Sequence, residues 1–193
     1  FPADYISEAV DQTRGWFYTL FAIATMVFDK PCFKSCVVLG HIQDKDGQKM
    51  SKSKGNVVDP FEVMSKYGAD ATRWYMMTAS PPWQATRFDV KGVEEVVSGF
   101  FGTLLNTYSF FAMYANIDQF VCPAKPIPMT ERPEIDRWLI STLNNVVARV
   151  EENYAGYEVT RGGRAIAEFV TNDLSNWYVR RCRRRFWKSG LGE

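Results

Sequence analysis

Apolar and polar positions change their period along this chain, and each change predicts an element. Asp4 to Val10 mixes β-favouring and polar residues and reads as a strand. After Asp11, a residue type that caps helices, Trp16, Phe17, Leu20, Phe21, Ala24, Val27 and Phe28 recur at helical spacing. Pro31 closes that helix. Phe33 to Ile42, with Cys36-Val37-Val38-Leu39 at its centre, is a short apolar run suited to a strand buried on both faces. Strand, helix and strand make a βαβ unit with parallel strands and a right-handed crossover, and in such sheets ligands bind beyond the carboxyl ends of the strands. The segment after Ile42 therefore lies where chemistry is expected.

That segment, Gln43 to Asp59, is polar, turns at Asp46-Gly47 and carries four lysines. It ends in a helix start: Asp59 can cap, Pro60 suits the first helical position, Glu62 completes a capping-box pattern, and Gly68 closes the helix after Tyr67. A second helix, roughly residues 70–78, stops at Pro81-Pro82. From there only long helical periods remain. Val93, Val96, Val97, Phe100, Phe101, Leu104, Leu105, Tyr108 and Phe111 trace one apolar stripe, and Trp138, Leu139, Leu143, Val146, Val147, Val150 and Tyr154 a second. Ile166, Phe169, Val170, Leu174, Trp177 and Tyr178 form a third, and the four prolines from Pro123 to Pro133 mark a loop between the first two helices. The fold class is thus α/β followed by all-α: an α/β part over residues 1–85, and an antiparallel helical bundle over residues 86–193. No internal repeat is visible.

Composition adds little to this division. With 193 residues, 46% hydrophobic and 23% charged, the chain has the makeup of a soluble globular protein with one sizeable core or two small ones. A net charge of +1 neither demands nor excludes a nucleic-acid partner, so the distribution of charge matters more. The cysteines Cys32, Cys36, Cys122 and Cys182 form no Cys-x-x-Cys metal pattern and read as free thiols in a reducing, cytoplasmic setting. The apolar stretch around Trp16 to Phe28 is too short for a membrane span, and no membrane association is expected. Because the chain opens on Phe1-Pro2 without an initiator methionine, it reads as a piece of a longer protein.

The strongest chemical signal is Lys49-Met50-Ser51-Lys52-Ser53, followed by Lys54-Gly55-Asn56. Two lysines three apart, two small hydroxyls and a glycine make a mobile cationic loop suited to a polyphosphate. Lysine is a compact point charge that can follow charge as it builds on a leaving pyrophosphate. The loop lacks the spaced glycines of a Walker P-loop. It resembles, letter for letter, the KMSKS signature of the class I aminoacyl-tRNA synthetases, after a strand and before a capped helix as in that family. The flanks, Asp11-Gln12-Thr13-Arg14-Gly15-Trp16-Phe17, Asp44-Lys45-Asp46-Gly47-Gln48, Tyr67-Gly68-Ala69-Asp70 and Asn176-Trp177-Tyr178-Val179-Arg180-Arg181, are similar to the isoleucine branch.

The resemblance implies the C-terminal part of a Rossmann-type catalytic domain and the start of an anticodon-binding domain. It also implies a ligase that joins isoleucine to tRNA(Ile) through an adenylate, with ATP and its Mg2+ as substrate and no metal held by these residues. Lys49 and Lys52 would be catalytic. Gly40, Met50, Ser51, Lys52 and Ser53 would bind ATP, with Gly40 leaving room for adenine. Glu8, Asp11, Gln12 and Trp16 would bind the aminoacyl-adenylate. Trp16 also lies on the apolar stripe of its helix, so a plain core role stays open. The family's pattern commonly has glycine after the adenylate glutamate, where this chain has Ala9-Val10. The family's first signature, of His-Ile-Gly-His type, has no counterpart here. His41 reads as a strand-end residue, and the chain alone is not expected to aminoacylate tRNA.

Near the end, Arg180, Arg181, Arg183, Arg184, Arg185 and Lys188 stand beside Trp177, Tyr178, Phe186 and Trp187. Arginines neutralise phosphates and stack on bases, so this helix can grip RNA. The same charges also suit a helix C-terminus and pairing with carboxylates such as Glu151 and Glu152. The resemblance assigns Arg180, Arg181, Arg183, Arg184 and Arg185 to tRNA. Trp83 reads as connector packing, and no obligate protein partner is implied. Two rival readings are a valyl or leucyl enzyme of the same class and a non-catalytic RNA-binding module; the second leaves the lysine loop without a purpose.

Overall fold

The structure, a computed structural model, describes residues 1–123 and 125–187. It divides into two compact units: Phe1–Gly92 joined by Tyr157–Thr160, and Val93–Gly156 joined by the chain from Arg161 onward.

In the first unit, strand β1 (Ala3–Ala9) pairs in parallel with β2 (Phe33–Leu39), in register from Ala3↔Phe33 to Ala9↔Leu39. Helix α1 (Trp16–Phe28) connects them, so the expected βαβ unit is present. Its start differs from the sequence reading. A 3-10 turn over Val10–Arg14 comes first, Gly15 takes the N-cap position, and Asp11 caps nothing. The Gln12 side chain reaches one turn ahead and its Oε1 accepts from the Trp16 N–H at 2.9 Å, supplying the acceptor that the helix end lacks. The helix ends on Asp29, which is left-handed at φ 49°.

Burial within this unit is narrower than the apolar pattern suggests. Phe17 and Ala24 are buried on α1, whereas Trp16, Phe21, Val27 and Phe28 remain exposed. Nor is β2 buried on both faces. Cys36 and Leu39 are exposed, because its sheet has only two strands and leaves surface uncovered. The strand also stops at Leu39, and Ile42–Gln43 (β3) pairs instead with Thr86–Arg87 (β4), again in parallel.

Helix α2 (Pro60–Tyr67) obeys its sequence signals: Asp59 Oδ1 accepts from the Phe61 N–H at 2.8 Å, and Gly68 at φ 90° ends it. Helix α3 (Ala69–Ala79) runs on from Gly68. Two side chains fasten α3 to its surroundings. Tyr75 donates its hydroxyl to the Arg87 carbonyl at 3.0 Å, and buried Thr160 places its Oγ1 2.8 Å from the Met77 carbonyl and 3.0 Å from that of Ser80. These last are carbonyls at the open end of α3, where the helix supplies no donors of its own. Thr160→Val keeps the shape and removes the donor; it should cost about 1–3 kcal/mol in chemical denaturation of the full-length protein.

The second unit is helical. Helix α4 (Val90–Glu95) passes through a wider, π-type segment Val96–Phe101 into α5 (Gly102–Ile117). Helix α6 (Glu134–Ala155) comes next, then α7 (Val159–Glu168), a π-type segment Phe169–Val179 and α8 (Arg180–Phe186). The 169–179 segment packs on both α5 and α6. Core positions include Val93, Phe100, Val146, Ala165, Phe169, Val170 and Cys182.

The first stripe is corrected in its second half. Leu104, Leu105, Tyr108 and Phe111 are exposed, and the packed face runs instead through Phe110 and Tyr114, whose rings lie 5.1 and 5.8 Å from that of Phe186. A π-type turn holds more residues than an α turn, so passing through Val96–Phe101 rotates every later side chain relative to an unbroken 3.6 period. Trp138, Leu143, Val147, Tyr154 and Trp177 are likewise exposed members of the other two stripes. By length and composition the 28-residue helix Val90–Ile117 is apolar enough to cross a membrane, unlike the Trp16–Phe28 stretch singled out from sequence. Its Phe110 and Tyr114 are used against Phe186 as in a bundle helix.

Candidate functional site: a braced lysine loop and an arginine face

Parallel pairing with Ala9 opposite Leu39 puts the carboxyl ends of β1 and β2 side by side. Glu8, Asp11 and Gln12 leave from one strand, Gly40 from the other. Glu8 Oε1 accepts from the Ala9 N–H at 3.0 Å. Gln12 is occupied at both ends of its amide, donating to Asp11 Oδ2 at 3.0 Å and capping α1 at Trp16. Trp16 is 46% exposed, so it is not a core residue of this chain.

Gly40 has a structural reason of its own. A Cβ there would lie 2.2 Å from the Gln84 carbonyl oxygen, and the Gly40 N–H donates to the Pro82 carbonyl at 2.8 Å. The connector backbone fills the space that a side chain would need. His41 sits between β2 and β3, exposed, with its carbonyl accepting from the Thr86 N–H at 3.0 Å. Trp83 lies in the connector turn and is 46% exposed.

The lysine loop is delivered by a tight hairpin. Gln43 bridges to Lys49, and between them the Asp44 N–H donates to the Gln48 carbonyl at 2.9 Å while Gly47 turns at φ 79°. Asp44 Oδ1 accepts from the N–H groups of Asp46 (3.0 Å) and Gln48 (2.7 Å). Its Oδ2 accepts from Asn56 Nδ2 at 2.7 Å. The Asn56 amide, then the Gln48 N–H, hold the Asp44 carboxyl below the usual carboxylate range. Asn56 also donates to the Lys49 carbonyl (3.2 Å) and accepts from the Ser51 N–H (2.9 Å).

Beyond Ser51, whose Oγ is 3.2 Å from that of Ser53, Lys52–Lys54 make one 3-10 turn closed by Gly55 at φ 66°. Lys49, Lys52, Ser53 and Lys54 are exposed, and Met50 is partly covered. Neither Lys49 nor Lys52 is ion-paired with a carboxylate among the described residues. An exposed cation without a partner keeps its charge available to an anionic ligand. Asp44 and Asn56 were not singled out from sequence; an acid at the start of a turn and an amide just after the signature were the available signals.

The arginines divide by their partners. Cys182 is buried and marks the inner side of α8. Arg185 and Arg181 each have a side-chain partner. Arg185 binds Asp136 with both terminal nitrogens, at 2.6 and 2.9 Å, and Asp136 also accepts from the Tyr178 hydroxyl at 2.8 Å. The Arg181 guanidinium lies 3.9 Å over the Trp177 ring, within cation–π range. The carboxylate partner is therefore Asp136, and not Glu151 or Glu152. Arg180, Arg183 and Arg184 are exposed and have no carboxylate partner among the described residues. Lys188 lies outside the described residues.

Asp136 is legible only in three dimensions, since nothing in sequence links it to a residue forty-nine positions away. The Arg185 bond, ahead of the opposing effect of burial and the added Tyr178 bond, holds its carboxyl below the usual range. Burial first, then Asp136, pushes the Tyr178 hydroxyl above its ordinary value. A depressed carboxyl contributes stability that is complete above its unfolded pKa and is lost as pH falls through the folded value. Asp136→Asn should therefore be less stable than wild type at neutral pH, with a deficit that shrinks below about pH 4; urea melts across pH 7 to 3 would show it.

Two family models match parts of the chain. Residues 1–89 match the model of tRNA synthetases class I (I, L, M and V), and residues 136–193 the anticodon-binding domain of tRNA ligase. The chain belongs to the class I tRNA synthetases. This synthetase chain is similar to isoleucine–tRNA ligases of Bacteroides fragilis (57% identical, covering 99% of the chain and 17% of that protein) and Porphyromonas gingivalis (57%, 100% and 17%). That of Clostridium tetani is 53% identical over 100% of the chain and 18% of that protein. The synthetase chain thus spans about a sixth of the length of these curated relatives.

Among solved structures it shares its fold with Mycobacterium tuberculosis methionyl-tRNA synthetase in complex with methionyl-adenylate. The TM-score is 0.76 at 21% identity, covering 98% of this chain and 36% of that one. A ternary complex of an Agrobacterium radiobacter LeuRS with tRNA and LeuAMS gives a TM-score of 0.72 at 20% identity, covering 93% and 24%.

Proposed function

We propose that this chain is part of an isoleucine–tRNA ligase, which activates isoleucine with ATP to the adenylate and transfers it to tRNA(Ile). Identity of 57% to isoleucine ligases along the whole chain supports the specificity, and two exposed lysines in a braced loop, without a carboxylate partner among the described residues, carry the chemistry. Residues 1–85 form the C-terminal part of a Rossmann-type catalytic domain, and 86–193 the start of an anticodon-binding domain built as an antiparallel bundle. Lys49 and Lys52 hold the ATP phosphates, with Met50, Ser51 and Ser53 completing the loop and Gly40 bordering the adenine. Glu8, Asp11, Gln12 and Trp16 face the aminoacyl-adenylate, Gln12 by way of its bonds to Asp11 and α1. Magnesium enters with ATP. No group of three or more His, Cys, Asp or Glu able to hold a metal occurs among the described residues.

In the adenylation step the isoleucine carboxylate attacks the α-phosphate and pyrophosphate leaves. Negative charge grows on the leaving oxygens, and a mobile ammonium that meets it stabilises the transition state more than the ground state. The protein is placed in the cytoplasm, where charged tRNA is consumed. ATP–pyrophosphate exchange by the full-length protein, with isoleucine, valine and leucine in turn, tests the reading. Exchange with isoleucine supports it, preference for valine or leucine reassigns the enzyme, and none with any of them leaves an RNA-binding module.

A further inference from the structure

The best-connected side chain near the lysine loop is neither lysine. Asn56 spends its whole amide on the loop: two hydrogens, to Asp44 Oδ2 (2.7 Å) and the Lys49 carbonyl (3.2 Å), and its oxygen on the Ser51 N–H (2.9 Å). Asp44 in turn is fastened by two N–H groups of the hairpin that precedes the loop. Every one of these bonds to the loop ends on backbone, at Lys49 and Ser51, and none on a lysine ammonium. The backbone is pinned at Lys49 and Ser51 while the lysine charges stay exposed.

We propose that Asp44 and Asn56 form a clamp that sets the loop geometry from which Lys49 and Lys52 reach the phosphates of ATP. Both are positioning residues for adenylate formation, an inference that rests on the proposed ligase activity. A loop pinned at two points has already lost part of the freedom that ordering it at the transition state would cost, so the clamp acts on kcat and hardly on ATP affinity. Gly55 lies just past the clamped backbone, left-handed and with open space about it, and lets the Lys52–Lys54 turn adjust when phosphates arrive.

The test uses the full-length protein. Asn56→Asp keeps the acceptor for Ser51 but sets a second carboxylate against Asp44 and the Lys49 carbonyl. Its kcat for isoleucine-dependent exchange should fall about ten- to a hundredfold, with the KM for ATP within about threefold of wild type. The swap Asp44→Asn with Asn56→Asp restores an N–H···O bond of reversed polarity between the two but still sets a carboxylate oxygen against the Lys49 carbonyl, so it should recover part of the loss. An unchanged kcat in Asn56→Asp, or a swap no better than that variant, overturns the clamp and leaves the ligase reading intact. Should wild type show no exchange with any amino acid, the ligase reading fails and takes the catalytic purpose with it. Amide hydrogen exchange then still judges the clamp: faster exchange at Ser51 in Asn56→Ala and Asp44→Ala upholds it, and unchanged protection overturns it.

Discussion

Full-length protein carrying Lys52→Ala should lose about two to three orders of magnitude of isoleucine-dependent ATP–pyrophosphate exchange, the size of effect seen when one preorganised charge or donor is removed from a transition state. The loss should fall mainly on kcat, because an exposed ammonium on a flexible stem contributes little to ground-state binding in water and more to charge that develops on departing pyrophosphate. Lys52 stands in the turn that Gly55 closes and has no carboxylate partner among the described residues, so removing it disturbs no folded-state ion pair. Its melting temperature should match that of wild type. An exchange rate within a factor of three of wild type would take Lys52 out of the mechanism.

Replacing Arg180, Arg183 and Arg184 together with alanine should flatten the salt dependence of tRNA(Ile) binding. The slope of log K against log salt should fall by about two to three, close to one for each phosphate that is no longer neutralised. These three are exposed on α8 and have no carboxylate partner among the described residues. Arg185→Ala is the informative contrast. Its guanidinium is spent on Asp136, so it should lower the stability of the helical unit and leave the salt slope nearly unchanged. Fluorescence titrations with tRNA at 50 to 300 mM salt, roughly the range over which such phosphate pairings are resolved, would separate the two. Equal slopes for the triple variant and wild type would remove α8 from the RNA surface.

Charge on this helix shows where reading from sequence runs out. Five arginines are visible in the text, but a string of letters treats them alike, whereas the fold sorts them by the partners it brings to each. One is bound to a carboxylate, one stacks on Trp177, and three have no carboxylate partner among the described residues. Asp136 begins another helix and meets Arg185 only because the 169–179 segment packs on α6. Trp16 shows the reverse. Its place in an apolar period is shared with Phe17, yet Phe17 is buried and Trp16 is not, because the two point to different sides of α1 and, among the described residues, the Phe17 side is the covered one.

The sequence alone determined the βαβ order, the capped helix at Asp59-Pro60, the helical second half and the lysine signature with its family. Each of these depends on residues near one another in the chain, so local periods, caps and turns carry the information. Tertiary structure decided the rest: the early end of β2 and its pairing switch at Ile42, the close approach of Gly40 to Gln84, the Asp44–Asn56 clamp, and the rotation of the α5 face after its π-type segment. Those outcomes are set by which distant groups compete for the same space or the same hydrogen bond, and that competition exists only once the chain has folded.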